Sequence, residues 1–350
     1  VLENGLEVIL HEDHTIPSVA VSIWYHVGSK NEKPGRTGFA HLFEHMMFQG
    51  SRHVGSDRHI QRLEAAGASE INGTTDFDRT NYFETLPSNQ LELALWMESD
   101  RMGFLLDTLD QQELTGQIDV VRNERRQSIE NAPYGLVEEE IFHQLFPAGH
   151  PYYASVIGSH ADLEAARLED VRGFFREYYA PSNASLAIVG DIDKTQARAL
   201  VEKYFGSLPP GPALARPKVA PVALAAGKTL EIADRVPQER VYMIWPTPPL
   251  YGAADAELDL AARVLADGLS SRLTKALVYD AQKATTVNAF QFGTEIANCF
   301  VVIANARPGV DVAELESLVA KEIARLAASG PTPAELERAK NKLETQYISG

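Results

Sequence analysis

Gly35-Arg36-Thr37-Gly38-Phe39-Ala40-His41-Leu42-Phe43-Glu44-His45-Met46-Met47-Phe48-Gln49-Gly50 places two histidines and a glutamate inside an apolar, helix-compatible run. On an α-helix, positions i, i+3 and i+4 share one face, so His41, Glu44 and His45 point the same way. Two imidazoles at i and i+4 can grip one zinc ion, and a neighbouring carboxylate that is not a ligand can take a proton from water. The order His-x-x-Glu-His is the mirror of His-Glu-x-x-His, a spacing used by zinc hydrolases. The bland reading is a helix that happens to carry two histidines. Against it, Ala40, Phe43, Met46, Met47 and Phe48 surround the motif with apolar bulk. A dry, packed wall suits a metal site better than a solvated face. A helix is predicted over residues 37–48, opened by the glycine-bearing loop 35–38.

Outside the motif, composition removes several function classes. The chain has 350 residues, with 48 acidic and 32 basic side chains and a formal charge of -16. Phosphate binding needs a basic face, so nucleic acid is excluded as a partner. The acidic excess favours cationic peptides through long-range steering, although solubility alone accounts for it. No run of 18 uncharged apolar residues is present, so no membrane span is expected. A single cysteine, Cys299, allows neither an internal disulfide nor a thiolate cluster, which leaves His, Glu and Asp as metal ligands. The segment from Val1 to Leu10 reads as turn and strand, with no signal peptide. An abrupt start at a strand fits a trimmed precursor, so a periplasmic location is expected, with the cytoplasm as the alternative.

All ten histidines fall between His11 and His160, which assigns the metal chemistry to the first half. The run Leu208-Pro209-Pro210-Gly211-Pro212-Ala213-Leu214-Ala215-Arg216-Pro217 reads as a stiff extended linker. The expected division is a zinc-binding domain at 1–207, a proline-rich linker at 208–221 and a second, metal-free domain at 222–350. The two sides read as distant copies. Strands at 7–11 and 19–25 in the first correspond to 228–232 and 240–245 in the second. Helical patterns follow at 37–48 and 254–266, and later strands at 184–190 and 299–304. Strands and helices without strict alternation indicate α+β halves, each with a mainly antiparallel sheet packed with helices. Thr332-Pro333-Ala334-Glu335 marks a helix start, with threonine as N-cap, proline at N1 and glutamate at N3. The chain stops at Ser349-Gly350, where the second domain still calls for more strand and helix, so that domain is expected to be incomplete.

Two imidazoles need a third protein ligand. Residues 112–129 read as a long helix with a stripe of Leu114, Ile118, Val121 and Arg125, and Glu124 sits beside that stripe. By chemistry alone Glu64, Glu70, Asp119 and Glu130 are equal candidates, and a solvated carboxylate is the ordinary state of any one of them.

At this point the chain resembles the M16 metallopeptidases, the group of pitrilysin, insulysin and the mitochondrial processing peptidase, whose motif carries the name inverzincin. The resemblance spans nearly the whole chain. It runs through Asn4-Gly5-Leu6, Gly28-Ser29, Gly35 to Gly50, Asn72-Gly73-Thr74-Thr75, Asp119 to Glu124, His150-Pro151-Tyr152, Val156-Ile157-Gly158 and Gly268-Leu269-Ser270-Ser271-Arg272-Leu273. It implies one zinc ion per chain held by His41, His45 and Glu124, with Glu44 as general base of an endopeptidase. Glu124 lies 79 positions after His45, wider than the family's usual interval, and the extra residues are assigned to the loop around 65–71. Asn72, with Gly73 and Thr74, matches the edge strand that holds the substrate backbone, to which a peptide adds as one more strand.

One departure matters. Active family members carry an arginine and, seven residues later, a tyrosine after the Ser-Ser-Arg-Leu motif, where this chain has Val278 and Thr285. The resemblance therefore implies a partner: a homologous subunit without the zinc motif but with the Arg/Tyr pair, forming a heterodimer, or a fused second half. A non-catalytic scaffold of the same family, or a zinc-binding subunit of a larger complex, is the alternative.

Overall fold

The structure, a computed structural model, describes residues 1–349. Its elements run β1 (Glu7–Glu12), β2 (Ser18–Tyr25), α1 (Phe39–Met46), α2 (His59–Ala65), β3 (Ser69–Thr75), β4 (Thr80–Pro87), α3 (Leu91–Phe104), α4 (Gln111–Arg125), α5 (Val137–Leu145), α6 (His160–Glu164), α7 (Leu168–Tyr178), β5 (Ala184–Gly190) and α8 (Lys194–Phe205). After an irregular stretch come β6 (Arg240–Thr247), α9 (Asp255–Ala266), β7 (Ala284–Gln291), β8 (Asn298–Ala306), α10 (Val312–Ser329) and α11 (Pro333–Ser349). The chain divides into two compact units, Val1–Pro217 and Lys218 onward.

In the first unit a five-stranded sheet has the order β1-β5-β2-β4-β3. All pairs are antiparallel except β1 with β5, which runs parallel. The period-2 pattern of β2 explains its placement: Val19, Val21, Ile23 and Tyr25 are buried, whereas Ala20 and Trp24 face outward. Helix α7 buries Val171, Phe174, Phe175 and Tyr178, spaced i, i+3, i+4 and i+7. The Phe43 ring of α1 stacks on Phe175 with centroids 5.4 Å apart and lies 4.5 Å from Tyr179. The motif helix is thus bolted into the core by the residue next to its glutamate. Truncating so buried a ring costs on the order of 3–5 kcal/mol.

The second unit holds a three-stranded antiparallel sheet of order β6-β8-β7. Central β8 is buried along nearly its whole length, as a strand with neighbours on both sides should be. Both units therefore mix helices with antiparallel-rich sheets in the α+β manner.

Two expectations are corrected. Residues 228–232 form no strand, and Leu230 and Ile232 remain exposed. In the first unit the corresponding β1 pairs with β5, which follows a helix late in that unit. Among the described residues the sheet of the second unit holds β6, β8 and β7, and residues 228–232 do not join its ladder. The long helix predicted over 112–129 ends as α-helix at Arg125, and Arg126–Glu130 continue as one π-helical segment. Around 65–71, residues 66–68 turn the chain, and a bulge lies between Ser69 and Asn72, where Glu70 has a φ of 54°.

Candidate metal centre

Helix α1 starts where backbone chemistry allows it to start. Gly38 takes a left-handed φ of 84°, and a Cβ there would meet Ile157 O at 2.6 Å. Glu32 closes the helix end, accepting from Gly38 N–H at 3.0 Å and Ala40 N–H at 2.7 Å. This helix presents His41 and His45 on one face, with ring centroids 4.8 Å apart. Helix α4 is capped at Asp110, whose Oδ1 accepts from Gln112 N–H at 2.8 Å and Glu113 N–H at 2.9 Å. It packs across α1 and delivers Glu124.

Glu124 Oε1 lies 3.8 Å from His41 Nε2, and Oε2 lies 3.3 Å from His45 Nε2. One donor atom from each of the three side chains falls within 4.8 Å of the others, the one such His/Cys/Asp/Glu group among the described residues. The other acids weighed from the sequence lie outside this group. Glu130 pairs with Arg125 at 3.2 Å and His160 at 2.9 Å, Glu70 accepts from Thr85 at 3.2 Å, Asp119 faces Arg122 at 3.9 Å, and Glu64 is exposed.

Protonation states favour a cation here. Burial, reinforced by His45 and opposed by Glu124, pushes His41 down to about 4, so its ring is neutral near pH 7. The His45 hydrogen bond, opposed by burial, holds Glu124 below the usual carboxylate range. The His41 and His45 imidazoles and the Glu124 carboxylate form the N/O donor set zinc takes in catalytic sites. His41 Nδ1 is buried without a hydrogen bond among the described residues.

Glu44 is not in the donor group. Its Oε2 accepts from the Thr75 hydroxyl at 2.6 Å. Burial raises its pKa, and the Thr75 bond pulls the other way. Its stem rests on Gly73, where a Cβ would approach Glu44 Cγ to 3.1 Å and Tyr82 Cδ1 to 3.0 Å. A side chain at position 73 would therefore crowd this corner. Behind it, the fully buried Arg101 lies 4.3 Å from the centre of the Tyr82 ring and donates from Nε to Glu98 Oε2 at 3.0 Å.

Strand β3 is an edge of its sheet. Asp76 N–H bonds Arg79 O at 3.0 Å across the turn, and bonded and non-bonded pairs alternate along an antiparallel ladder. By that alternation Gly73 and Thr75 turn their backbone groups to the open side. Asn72 Oδ1 accepts from Gly73 N–H at 2.9 Å. Thr74 lies on the opposite face, its hydroxyl donating to Asn81 and its carbonyl accepting from Arg79 at 3.1 Å. Thr75 and Glu32 escaped the list of site residues drawn from sequence. Side-chain alternation was the available signal, because adjacent threonines on a strand face opposite ways and only one can reach Glu44.

The family model described as "Insulinase (Peptidase family M16)" matches residues 7–157, and that described as "Peptidase M16 inactive domain" matches residues 165–343. The chain belongs to the M16 peptidase family. Zinc protease PqqE of Helicobacter pylori is 28% identical to this M16 chain over 356 residues, 99% of this chain and 78% of that protein. A protease from Helicobacter pylori of known crystal structure matches with a TM-score of 0.90 at 27% identity, over 100% of this chain and 84% of that one. The periplasmic protease PqqL from Escherichia coli matches with a TM-score of 0.80 at 21% identity, over 99% of this chain but 39% of its own, which shows a shared fold. The M16 fold has two homologous domains, and the second here contains Val278 and Thr285. Val278 lies in the π-helical segment Thr274–Asp280, half-buried. Thr285 is exposed on β7, its hydroxyl 3.2 Å from Gln238 Oε1. Neither side chain offers the long cationic or phenolic donor that arginine and tyrosine would. No helix of the described residues is long and apolar enough to cross a membrane.

Proposed function

We propose that this chain is the metal-bearing half of a zinc endopeptidase that hydrolyses internal bonds of peptides or unfolded segments. The observation that carries the reading is the convergence of His41, His45 and Glu124, with Glu44 held outside the donor group yet beside it. His41, His45 and Glu124 would hold the ion. Zinc bound there supplies a Lewis acid for the scissile carbonyl and brings the pKa of water towards neutrality. Glu44 takes the proton of the attacking water and hands it to the leaving amine. A base raised by burial is suited to both transfers, because it can hold the proton between them. The open edge of β3 pairs with the substrate backbone through Gly73 and Thr75, and Asn72 releases Gly73 N–H as the peptide strand arrives.

The site is completed, in this reading, by a homologous M16 subunit or fused half that carries the Arg/Tyr pair. Val278 and Thr285 support it, since an oxyanion without donors forfeits about 100-fold or more in rate. The 39% coverage of PqqL supports it as well, because a longer M16 chain has room for a further half. PqqL is a periplasmic protease, which favours the periplasm here over the cytoplasm. A non-catalytic scaffold or zinc-binding subunit is the second reading, favoured by the match of residues 165–343 to a domain described as inactive. The intact His41, Glu44 and His45 set weighs against it.

The test is hydrolysis of internally quenched peptides by the zinc-loaded chain, alone and with the homologous subunit, before and after chelation. Turnover only in the presence of both zinc and the partner is expected. Full activity of the isolated chain overturns the partner requirement, and an inert zinc-loaded pair overturns the peptidase reading.

A further inference from the structure

We infer that Thr75 is a positioning residue for Glu44, aiming its carboxylate by one hydrogen bond so that a single oxygen remains to receive the water proton. This rests on the reading of Glu44 as general base.

The two residues are 31 positions apart and meet because α1 packs on β3. A carboxylate only accepts, so in the 2.6 Å contact the threonine hydroxyl is the donor. That hydroxyl has one proton to give. Its other neighbour, Thr80 Oγ1, is more distant at 3.4 Å and spends its own proton on Val27 O at 2.9 Å. The Thr75 proton is therefore committed to Glu44 Oε2. Glu44 Oε1 makes no hydrogen bond among the described residues.

Orientation is the quantity at stake. The last torsion of a glutamate is broad and roughly two-fold, so an unrestrained carboxylate samples many planes. One charge-assisted bond removes that freedom. The stem packs separately against Gly73, whose lack of a Cβ leaves room for it. Strand β3 thus holds Glu44 at two points, Gly73 under the methylenes and Thr75 on one oxygen. Thr74 shows that the arrangement is specific to one face, because its hydroxyl donates to Asn81 instead. Threonine also suits the task because branching at Cβ restricts χ1 and pre-sets the hydroxyl.

The decisive comparison uses Thr75→Val, which keeps the shape and removes the donor, Thr75→Ser, which keeps the donor, and Glu44→Gln. Each is zinc-loaded, combined with the homologous subunit, and assayed on an internally quenched peptide, with zinc content measured alongside. Thr75→Val is expected to lower kcat roughly 10- to 100-fold, the usual cost of an orienting partner, with KM within about two-fold and zinc retained. Thr75→Ser is expected to recover kcat to within about three-fold of wild type. Crystal structures of zinc-loaded wild type and Thr75→Val should show the Glu44 carboxylate turned only in the variant. Wild-type kcat in Thr75→Val beside an inert Glu44→Gln overturns the inference and spares the general base. Serine performing no better than valine overturns it too, assigning the role to packing. Wild-type turnover in Glu44→Gln overturns the general base itself, and the inference with it. Should valine fail to fold, Thr75→Ala against Thr75→Ser makes the same comparison.

Discussion

The two units of this chain run through one order of elements and put different chemistry at the same place. In the first, β2 leads to α1, then to the β3–β4 hairpin and the pair α3 and α4. In the second, β6 leads to α9, then to the β7–β8 hairpin and the pair α10 and α11. The strand order β2-β4-β3 reappears as β6-β8-β7. Helix α1 packs on α4, and α9 packs on α11. Where the first pair of helices meets, His41 and His45 face Glu124. Where the second pair meets, Arg263 Nη2 donates to Gln346 Oε1 at 2.8 Å, and Lys342 Nζ lies 2.7 Å from Asp267 Oδ1. An Arg–Gln hydrogen bond and a Lys–Asp ion pair occupy that contact, whereas the first unit gathers two imidazoles and a carboxylate. The shared scaffold therefore does not by itself make the candidate metal centre; a few side chains on two helices set it apart.

The largest expected effect tests the first unit alone. Glu44→Gln should lower kcat by about 1000-fold or more while zinc content stays near one per chain, because only the proton acceptor is lost. Retained turnover at wild-type zinc would remove Glu44 from the mechanism. Next in size is Glu124→Gln, which should weaken zinc binding by more than about 100-fold in a competition titration, above the loss typical of outer-shell changes. Unchanged affinity would mean that another acid closes the site.

Transplanting function between the units sharpens the contrast further. Val278→Arg combined with Thr285→Tyr should raise peptide hydrolysis by the isolated chain up to about 100-fold, the scale of a restored oxyanion donor. No gain would show that the pair acts only from another subunit.

The smallest effect concerns the ion pair that steadies the second unit. Arg272 donates from Nε and Nη2 to the two oxygens of Glu335, each at 2.8 Å. Those bonds, opposed by burial, bring Glu335 down to about 2. A depressed carboxylate stabilises the fold above its unfolded pKa and loses that contribution as pH falls through the folded one. Glu335→Gln should cost about 2 kcal/mol at pH 7 in urea unfolding of the second unit, with zinc binding unchanged. The difference from wild type should shrink as the pH drops from about 5 to about 2. A pH-independent difference would assign the cost to packing.

Much of the fold was legible because its signals are local. Alternation in β2 and β5, the i, i+3 and i+4 stripe of α4, and the Thr332 to Glu335 capping box are each written within a few residues. Leu230 and Ile232 alternate with polar neighbours, yet residues 228–232 form no strand, because alternation alone does not set a ladder. The candidate site divides along the same line. His41, Glu44 and His45 share a face by helical geometry alone, so sequence by itself determined the pair of imidazoles and the nearby carboxylate. Which of five acids lies against the two imidazoles, and which of two adjacent threonines hydrogen-bonds Glu44, only the tertiary structure decided. Those partners lie 79 and 31 positions away along the chain, and long-range contact depends on how whole elements pack rather than on any local period.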